Sequence, residues 1–576
     1  MCLTSAVALG QGQTLPSATP TAPGAPAGPV VQTGPSAEAG PAWRRALVAG
    51  NFEAALAATD APATQAYIRG AGAERRGGYA EAEQQYRASM DPDPAGDAAL
   101  ALADLLNGTG RRDQAVAIWQ AVLKVGQLQR TGPSLGRAAR AAHRLGQVRL
   151  ANAYFQTAAN LSPDDPQAHT AWGDLFLDKD NAAEARASYE TALKADAAWV
   201  PALVGMARVL ADSNPTASEA AARQAIAIDA GQPDAWLLLA SAAIDASKRD
   251  EGRTILAQVL EGNPRQVEAL ALSGALAQIE DRTADVTRLT AEALAVSPGN
   301  GDVARIIGER VARQYRFDEA VRFLREAVTL EPGNSRAQAS LGLHLLRTGD
   351  EAAARAALDA AFAIDPFDTV TYNLLSMLDT LDAFVTVPGD NLTVRMDPQD
   401  APVLQPYLLP LAEQALAALS ARYEFTPHGP VLVEVFPKHD DFAVRTMGLP
   451  GMLGALGACF GRVVTMDSTR ARPPGTFNWA ATLWHELAHV VTLQMSGNRL
   501  PRWLSEGIST YEESRAQPAW GNESELLFAQ AHAAGRLIPL TDLNSGFTRL
   551  ETINLAYHQA SVIGAFLVET QGQDAL

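Results

Sequence analysis

The stretch Gly308–Pro332, GERVARQYRFDEAVRFLREAVTLEP, is followed 34 residues on by Gly342–Pro366, GLHLLRTGDEAAARAALDAAFAIDP. The letters differ, but the pattern of sizes repeats. Gly308, Ala320, Leu324, Ala327 and Pro332 are echoed by Gly342, Ala354, Leu358, Ala361 and Pro366. Gly173, Ala185, Tyr189 and Ala192 carry the same spacing earlier in the chain, and Ala151, Phe155, Ala158 and Pro163 earlier still. Proline also recurs at Pro264 and Pro298, in step with Pro332 and Pro366. Small residues let two helices cross closely, the bulky residue fills the gap, and proline cannot continue the second helix. The pattern predicts paired helices, stacked one pair on the next.

This spacing resembles that of tetratricopeptide repeats. Residues 42–380 accommodate about nine or ten helix pairs, expected to stack into an α-solenoid whose concave face takes a peptide or a protein partner. Weak units near Gln127–Leu135 and Ala211–Ser218 are expected to be irregular. His143, His169 and His344 are isolated within the repeats and read as scaffold or surface residues.

A different object begins near residue 385. His485-Glu486-Leu487-Ala488-His489 follows Asn478 and an apolar run, and Ser496-Gly497-Asn498 ends it, which predicts one helix of roughly five turns. Residues four apart share a helix face, so both imidazoles can reach one ion. Glu486 points about 100° away, a poor third ligand but well placed to take a proton from water held by that ion. Catalytic zinc takes three protein ligands and keeps one position open. Glu506, in Trp503-Leu504-Ser505-Glu506-Gly507 on a helix opened by Pro501, can complete a His/His/Glu set. With only nine histidines in 576 residues, such a pair with an intervening glutamate is improbable by accident.

These motifs, with Tyr511 and Ala556-Tyr557-His558-Gln559-Ala560-Ser561, resemble the gluzincin metallopeptidases, most closely the peptidase MA-like domains that follow tetratricopeptide repeats. The resemblance covers roughly residues 385–576 and implies an α+β zinc metallopeptidase domain. By it, His485, His489 and Glu506 would be Zn2+ ligands, Glu486 the general base, and Tyr557 the donor to the tetrahedral oxyanion. Leu392–Met396, Val431–Phe436 and Arg462–Met466 read as strands of a small sheet, and Pro402–Tyr423 as a helix between the first two. In the family an edge strand beside the metal helix pairs with extended substrate, and Arg462–Met466 would be that strand. The Gly-x-Met-x-Asn motif of related aminopeptidases is missing, for Gly451-Met452-Leu453-Gly454 shares only its small residues, so exopeptidase specificity is not implied.

Other polar residues have plainer readings. His428, His439 and His532 read as loop or helix-face residues, and Asp440 and Asp441 as caps of the helix that follows. His558 is close enough in sequence to Tyr557 to approach the site. Cys459 reads as a small buried residue; with only Cys2 beside it, a disulfide framework and a cysteine metal site are both excluded.

The net charge of −18 and pI near 5 argue against a nucleic-acid partner. No apolar run reaches the roughly 18 residues that span a bilayer. Residues 1–12 look like the back half of a signal peptide, and 13–41 form a spacer rich in Pro, Ala, Gly and Thr. An extracytoplasmic setting, periplasmic or envelope-associated, is expected, as are a leader and a carboxyl end that continue beyond this chain. Two functional readings result: a zinc metallopeptidase whose repeats recruit a peptide or protein substrate or a partner, and an envelope adaptor whose peptidase-like domain is an inactive binding module. A non-peptide metal hydrolase is the third chemistry the motif allows.

Overall fold

The computed structural model describes residues 40–451, 454–520, 522–547 and 551–573. The expected leader and most of the expected spacer, with Cys2, lie outside them, as do Met452 and Leu453. From Ala42–Val48 to Glu351–Ile364 the described chain forms ten antiparallel helix pairs, and Thr369–Leu381 adds an unpaired helix. In the regular units the second helix ends two residues before the recurrent proline, at Gly262, Val296, Leu330 and Ile364.

The small residues act as their spacing predicts. A Cβ on Gly342 would sit 2.5 Å from Leu358 Cγ, and one on Gly173 would sit 2.6 Å from the Tyr189 ring. Ala320, Leu324, Ala327, Ala354, Leu358 and Ala361 are all fully buried. The turn inside each pair takes a left-handed residue at Ser247, Asp281, Tyr315 and Gly349, each 34 after the last, and earlier at Gly146 and Asp180. Between Asp180 and Ser247 the spacing slips, because Val200–Leu210 and Pro215–Ile228 are joined through a unit one residue short. The helix Arg112–Gln129 runs on before Thr131 caps the next. Both irregular stretches thus fall where the sequence places them.

The concave face is less open than the sequence suggests. Arg75 forms a two-pronged ion pair with Asp229, Tyr79 donates to the Arg265 carbonyl at 3.0 Å, and Lys179 pairs with Asp365. These partners lie 154 to 186 residues apart, so one superhelical turn closes on the next. A cavity of about 1010 Å³ lies within, lined by Glu74, Asp234, Trp236, Glu268, Arg305 and Glu309 among others.

After the array the chain forms a mixed sheet of β1 (Val385–Gly389), β2 (Leu392–Met396), β3 (Val431–Phe436), β4 (Gly457–Cys459) and β5 (Val463–Asp467), in the order β1-β2-β3-β5-β4. The pairs β2/β3 and β3/β5 are parallel; β1/β2 and β4/β5 are antiparallel. The helix Ala401–Arg422 links β2 to β3. The expectation that Arg462–Met466 is an edge strand is corrected: β5 pairs on both sides, and β4 is the edge. A tight return through Phe460 folds β4 back on β5, with Phe460 N–H donating to the Val463 carbonyl at 2.8 Å. Asp440 and Asp441 occupy the first turn of His439–Met447 without making a side-chain cap, so their contribution is to the helix dipole.

One apolar core runs without a break from Leu237 in the repeats, through Phe317 and Leu358, to Val433, Val464 and Leu487. No described helix is long and apolar enough to cross a membrane.

Candidate metal centre

The motif lies on Trp479–Met495, a helix whose N-terminus is capped by Asn478 accepting from Ala481 N–H. It packs against β4 and β5 on one side and against Arg502–Ala516 on the other. Every residue from Ala481 to Leu493 is buried, so the two histidines and the glutamate sit on a helix buried all round.

His485 Nε2 and His489 Nε2 lie 3.0 Å apart, and Glu506 Oε2 lies 3.3 Å from each. The three side chains are at most 1% exposed, and their ligand atoms all fall within 4.8 Å of one another. The other ring nitrogens are already engaged: His485 Nδ1 with Glu513 Oε1 at 2.5 Å, and His489 Nδ1 with Ser505 Oγ at 3.0 Å. With Nδ1–H donated outward, both Nε2 lone pairs converge on one carboxylate oxygen. Three acceptors meeting in a buried space are mutually repulsive unless a cation joins them. The donor set therefore fits zinc.

Charge in the cluster follows from the same contacts. Burial works against a charged His485, but the Glu513, Glu506 and Glu486 carboxylates outweigh it and push its pKa up to about 10 when no cation is bound, so a metal ion would take the place of the Nε2 proton. His489 is held below its ordinary value by burial and by neighbouring His485, despite Glu506. Burial would raise Glu506, yet His489, His485 and Arg502 hold it well below the usual carboxylate range.

Glu486 lies against β4. A Cβ on Gly457 would fall 2.7 Å from Glu486 Oε1 and 2.8 Å from its Cγ. Glycine is thus what leaves the carboxylate room. Leu456 O accepts from Asp467 N–H, Ala458 is in register with Thr465, and Phe460 N–H donates to Val463 O. The alternation of an antiparallel ladder then turns the N–H and C=O of Gly457 and Cys459 to the open edge.

Tyr557, on Ile553–Gln571, is 8% exposed, with its ring 6.2 Å from that of His485. His558 turns instead to Phe528, ring centroids 5.3 Å apart, and stays out of the cluster. His439 and Arg472 bind Asp467, while His143, His169 and His344 lie in the repeats. Cys459 is buried, and burial together with Glu486 raises its thiol well above the ordinary range, the opposite of a nucleophile. Two contributors escaped the sequence reading, Ser505 and Glu513. Glu513 follows Glu506 by seven residues, two turns along the same helix face, and that spacing was the available signal.

A family model described as the Peptidase MA superfamily matches residues 468–576, which hold the metal helix, Glu506 and Tyr557. A tetratricopeptide repeat model matches 312–378. The chain thus carries a tetratricopeptide repeat region and a C-terminal Peptidase MA superfamily domain. No curated protein matches it. Among solved structures, the Cut9–Hcn1 hetero-tetramer of APC/C is 14% identical, covers 57% of this chain and 81% of its own, and has a TM-score of 0.34. A tetratricopeptide repeat protein from Parabacteroides merdae ATCC 43184 is 15% identical over 49% and 99%, with a TM-score of 0.23. YrrB, a tetratricopeptide repeat protein with an unusual peptide-binding site, is 18% identical over 32% and 95%, with a TM-score of 0.22.

Proposed function

We propose that the Peptidase MA domain is a zinc-dependent peptidase acting on extended polypeptide, and that the repeat array holds a protein substrate or partner near it. The observation that carries this reading is the convergence of two Nε2 lone pairs and one carboxylate, with both Nδ1 atoms already engaged. His485, His489 and Glu506 would hold the zinc, which supplies Lewis-acid polarisation and a more acidic water. Glu486 takes the proton from the attacking water and passes it to the leaving amine. Gly457 and Cys459 offer backbone groups to an extended substrate, which gives affinity with little demand on its sequence. Tyr557 donates to the oxygen that gains charge in the transition state. Glu513 and Ser505 fix the ring orientation and tautomer of the two histidines. An extracytoplasmic setting is part of the same proposal and rests on the amino-terminal sequence.

The test uses purified full chain, metal analysis and fluorescein-labelled casein as a generic substrate. Glu486→Gln is expected to keep its zinc and lose hydrolysis by roughly 10²–10⁴-fold. Tyr557→Phe is expected to lower kcat more than it raises KM, since the phenol acts on the transition state. Hydrolysis by Glu486→Gln at the wild-type rate would overturn the mechanism. A wild-type chain that binds zinc and cleaves nothing would leave the inactive binding module as the better reading.

A further inference from the structure

We propose that the last repeats position the edge strand β4, so that Arg347, Phe460 and Arg462 are positioning residues of the peptidase site and the array is not a separable recruiting arm. The proposal rests on the peptidase reading above for its consequence, and on the following contacts for its geometry.

A three-residue edge strand paired on one side only is poorly held by its own backbone, so its placement rests on what packs around it. Yet β4 carries Gly457, whose missing side chain leaves room for the Glu486 carboxylate. Its far end is anchored outside the peptidase domain. Phe460, at the return between β4 and β5, packs edge-on against Phe317 of the repeats with ring centroids 5.5 Å apart. The Arg347 guanidinium lies 5.4 Å from the Phe460 ring centroid and 5.8 Å from that of Phe317. Arg462 donates twice to the Thr348 carbonyl, at 2.7 and 3.2 Å.

Two helix C-termini meet at this point and exchange arginines. Arg347, on Ser335–Thr348, donates to the Thr446 carbonyl at 2.8 Å; Arg445, on His439–Met447, donates to the Leu346 carbonyl at 2.9 Å. Each guanidinium thus rests on the negative end of the other helix's dipole. Arg445 also has a carboxylate, Glu434, at 2.7 Å, whereas Arg347 meets a carbonyl, His344 and two aromatic faces. Burying a guanidinium without a carboxylate costs stability that an apolar side chain of like volume would not. A contact kept at that cost is better explained by placement than by stability. The C-terminal end of Trp479–Met495 is tied to the repeats as well, for Arg499, just beyond it, pairs with Asp281, which also holds Arg316.

The experiment compares full-length wild type with Arg347→Met, Arg462→Ala and Phe460→Leu. It reads amide hydrogen exchange over residues 455–461, zinc content, and kcat and KM on fluorescein-labelled casein across pH. The expected result is a tenfold or greater rise in exchange within 455–461 and a similar fall in kcat/KM. Zinc content, the shape of the pH profile and exchange in Trp479–Met495 should not change. Arg462→Lys, which can still donate to Thr348, should recover most of the loss. Unchanged exchange at β4 would overturn the proposal, as would a rise spread evenly over the array, which marks general destabilisation. Arg347→Met keeps the test decisive if Phe460→Leu folds poorly. If wild type cleaves no casein, the peptidase reading fails, while exchange at β4 still decides whether the repeats hold it.

Discussion

The repeat array and the Peptidase MA domain are both closely packed, but they put opposite chemistry in their interiors. In the array the buried positions of the period are alanine, leucine and glycine, and most ion pairs lie on partly exposed helix faces, such as Arg305 with Glu309 or Arg355 with Asp379. In the peptidase domain a single helix buries two histidines and a glutamate, and the helix beside it buries Glu506 and Glu512. Glu512 is explained by structure, since Arg422 and Tyr423 both bind it and so fasten that helix to Ala401–Arg422. Glu506 has no such duty. Its position makes sense when a cation completes it. Burial alone does not distinguish a packing residue from a functional one; what the buried group leaves unsatisfied does.

The largest expected effects come from breaking that contrast at each end. His489→Ala leaves two ligands, and the full chain should no longer hold stoichiometric zinc by metal analysis. Leu358→Ala, in the array, should cost roughly 2–5 kcal/mol of stability by cavity formation. Zinc bound to whatever remains folded should be unchanged. Zinc bound fully to His489→Ala would remove that histidine from the ligand set. A step smaller is Glu513→Ala, which leaves every ligand in place but frees the His485 ring. Loss of such a partner lowers metal affinity by roughly 10–100-fold, measured by competition with a chelator. Unchanged affinity would make Glu513 a bystander.

How much of this was legible beforehand differs between the two regions for the same reason. The array repeats its instructions, so Leu324 and Leu358 confirm each other, and even its faults are visible where the period slips. The cluster of His485, His489 and Glu506 was legible because four-residue spacing on a helix is geometry written in sequence. The edge strand was not: Gly457-Ala458-Cys459 has no β-branched residue, and only its return on β5 makes it a strand. The clasp between the regions was invisible too, because Arg347, Arg445 and Arg462 bind main-chain carbonyls, which every residue possesses.

That clasp gives the comparison a pH dependence. His344 is buried among apolar groups, stacked on Phe317 and beside Arg347, and burial with that arginine holds its pKa well below 6.5. A histidine with a depressed folded pKa stays neutral in the folded chain, while the unfolded chain takes up a proton as pH falls below about 6.5. Its contribution to stability is therefore complete above that pH and is lost on acidification, by about 1.4 kcal/mol per unit once well below it. Between pH 7 and 5.5 the full chain should lose roughly 1.4 kcal/mol through this group. His344→Leu should flatten the fall in melting temperature by that amount. Equal slopes in both proteins would mean that His344 titrates normally and the junction is wetter than its packing indicates.

The smallest effect lies in the turns of the array, where one backbone conformation is filled by four different residues. Ser247, Asp281, Tyr315 and Gly349 all take a left-handed backbone, with φ of 62°, 56°, 62° and 83°. Asp281 is held by Arg316 and Arg499, and Tyr315 is buried against Phe317, so their side chains offset the strain. Ser247 lies in the same turn and makes no side-chain hydrogen bond among the described residues, which makes it the cleanest place to weigh the backbone alone. A residue with a Cβ in this region costs on the order of 1 kcal/mol, while glycine brings a larger entropy loss on folding. Ser247→Gly should therefore stabilise the chain by less than about 1 kcal/mol, a rise of a degree or two in melting temperature with zinc content unchanged. Gly349→Ala should move the other way, since its added Cβ must take the same φ while meeting Val463 Cγ2 at 3.4 Å across the clasp. If both substitutions are neutral, the turns are free to rearrange. The regular 34-residue step would then be set by the helix packing at Leu324 and Leu358, with the left-handed residues merely following it.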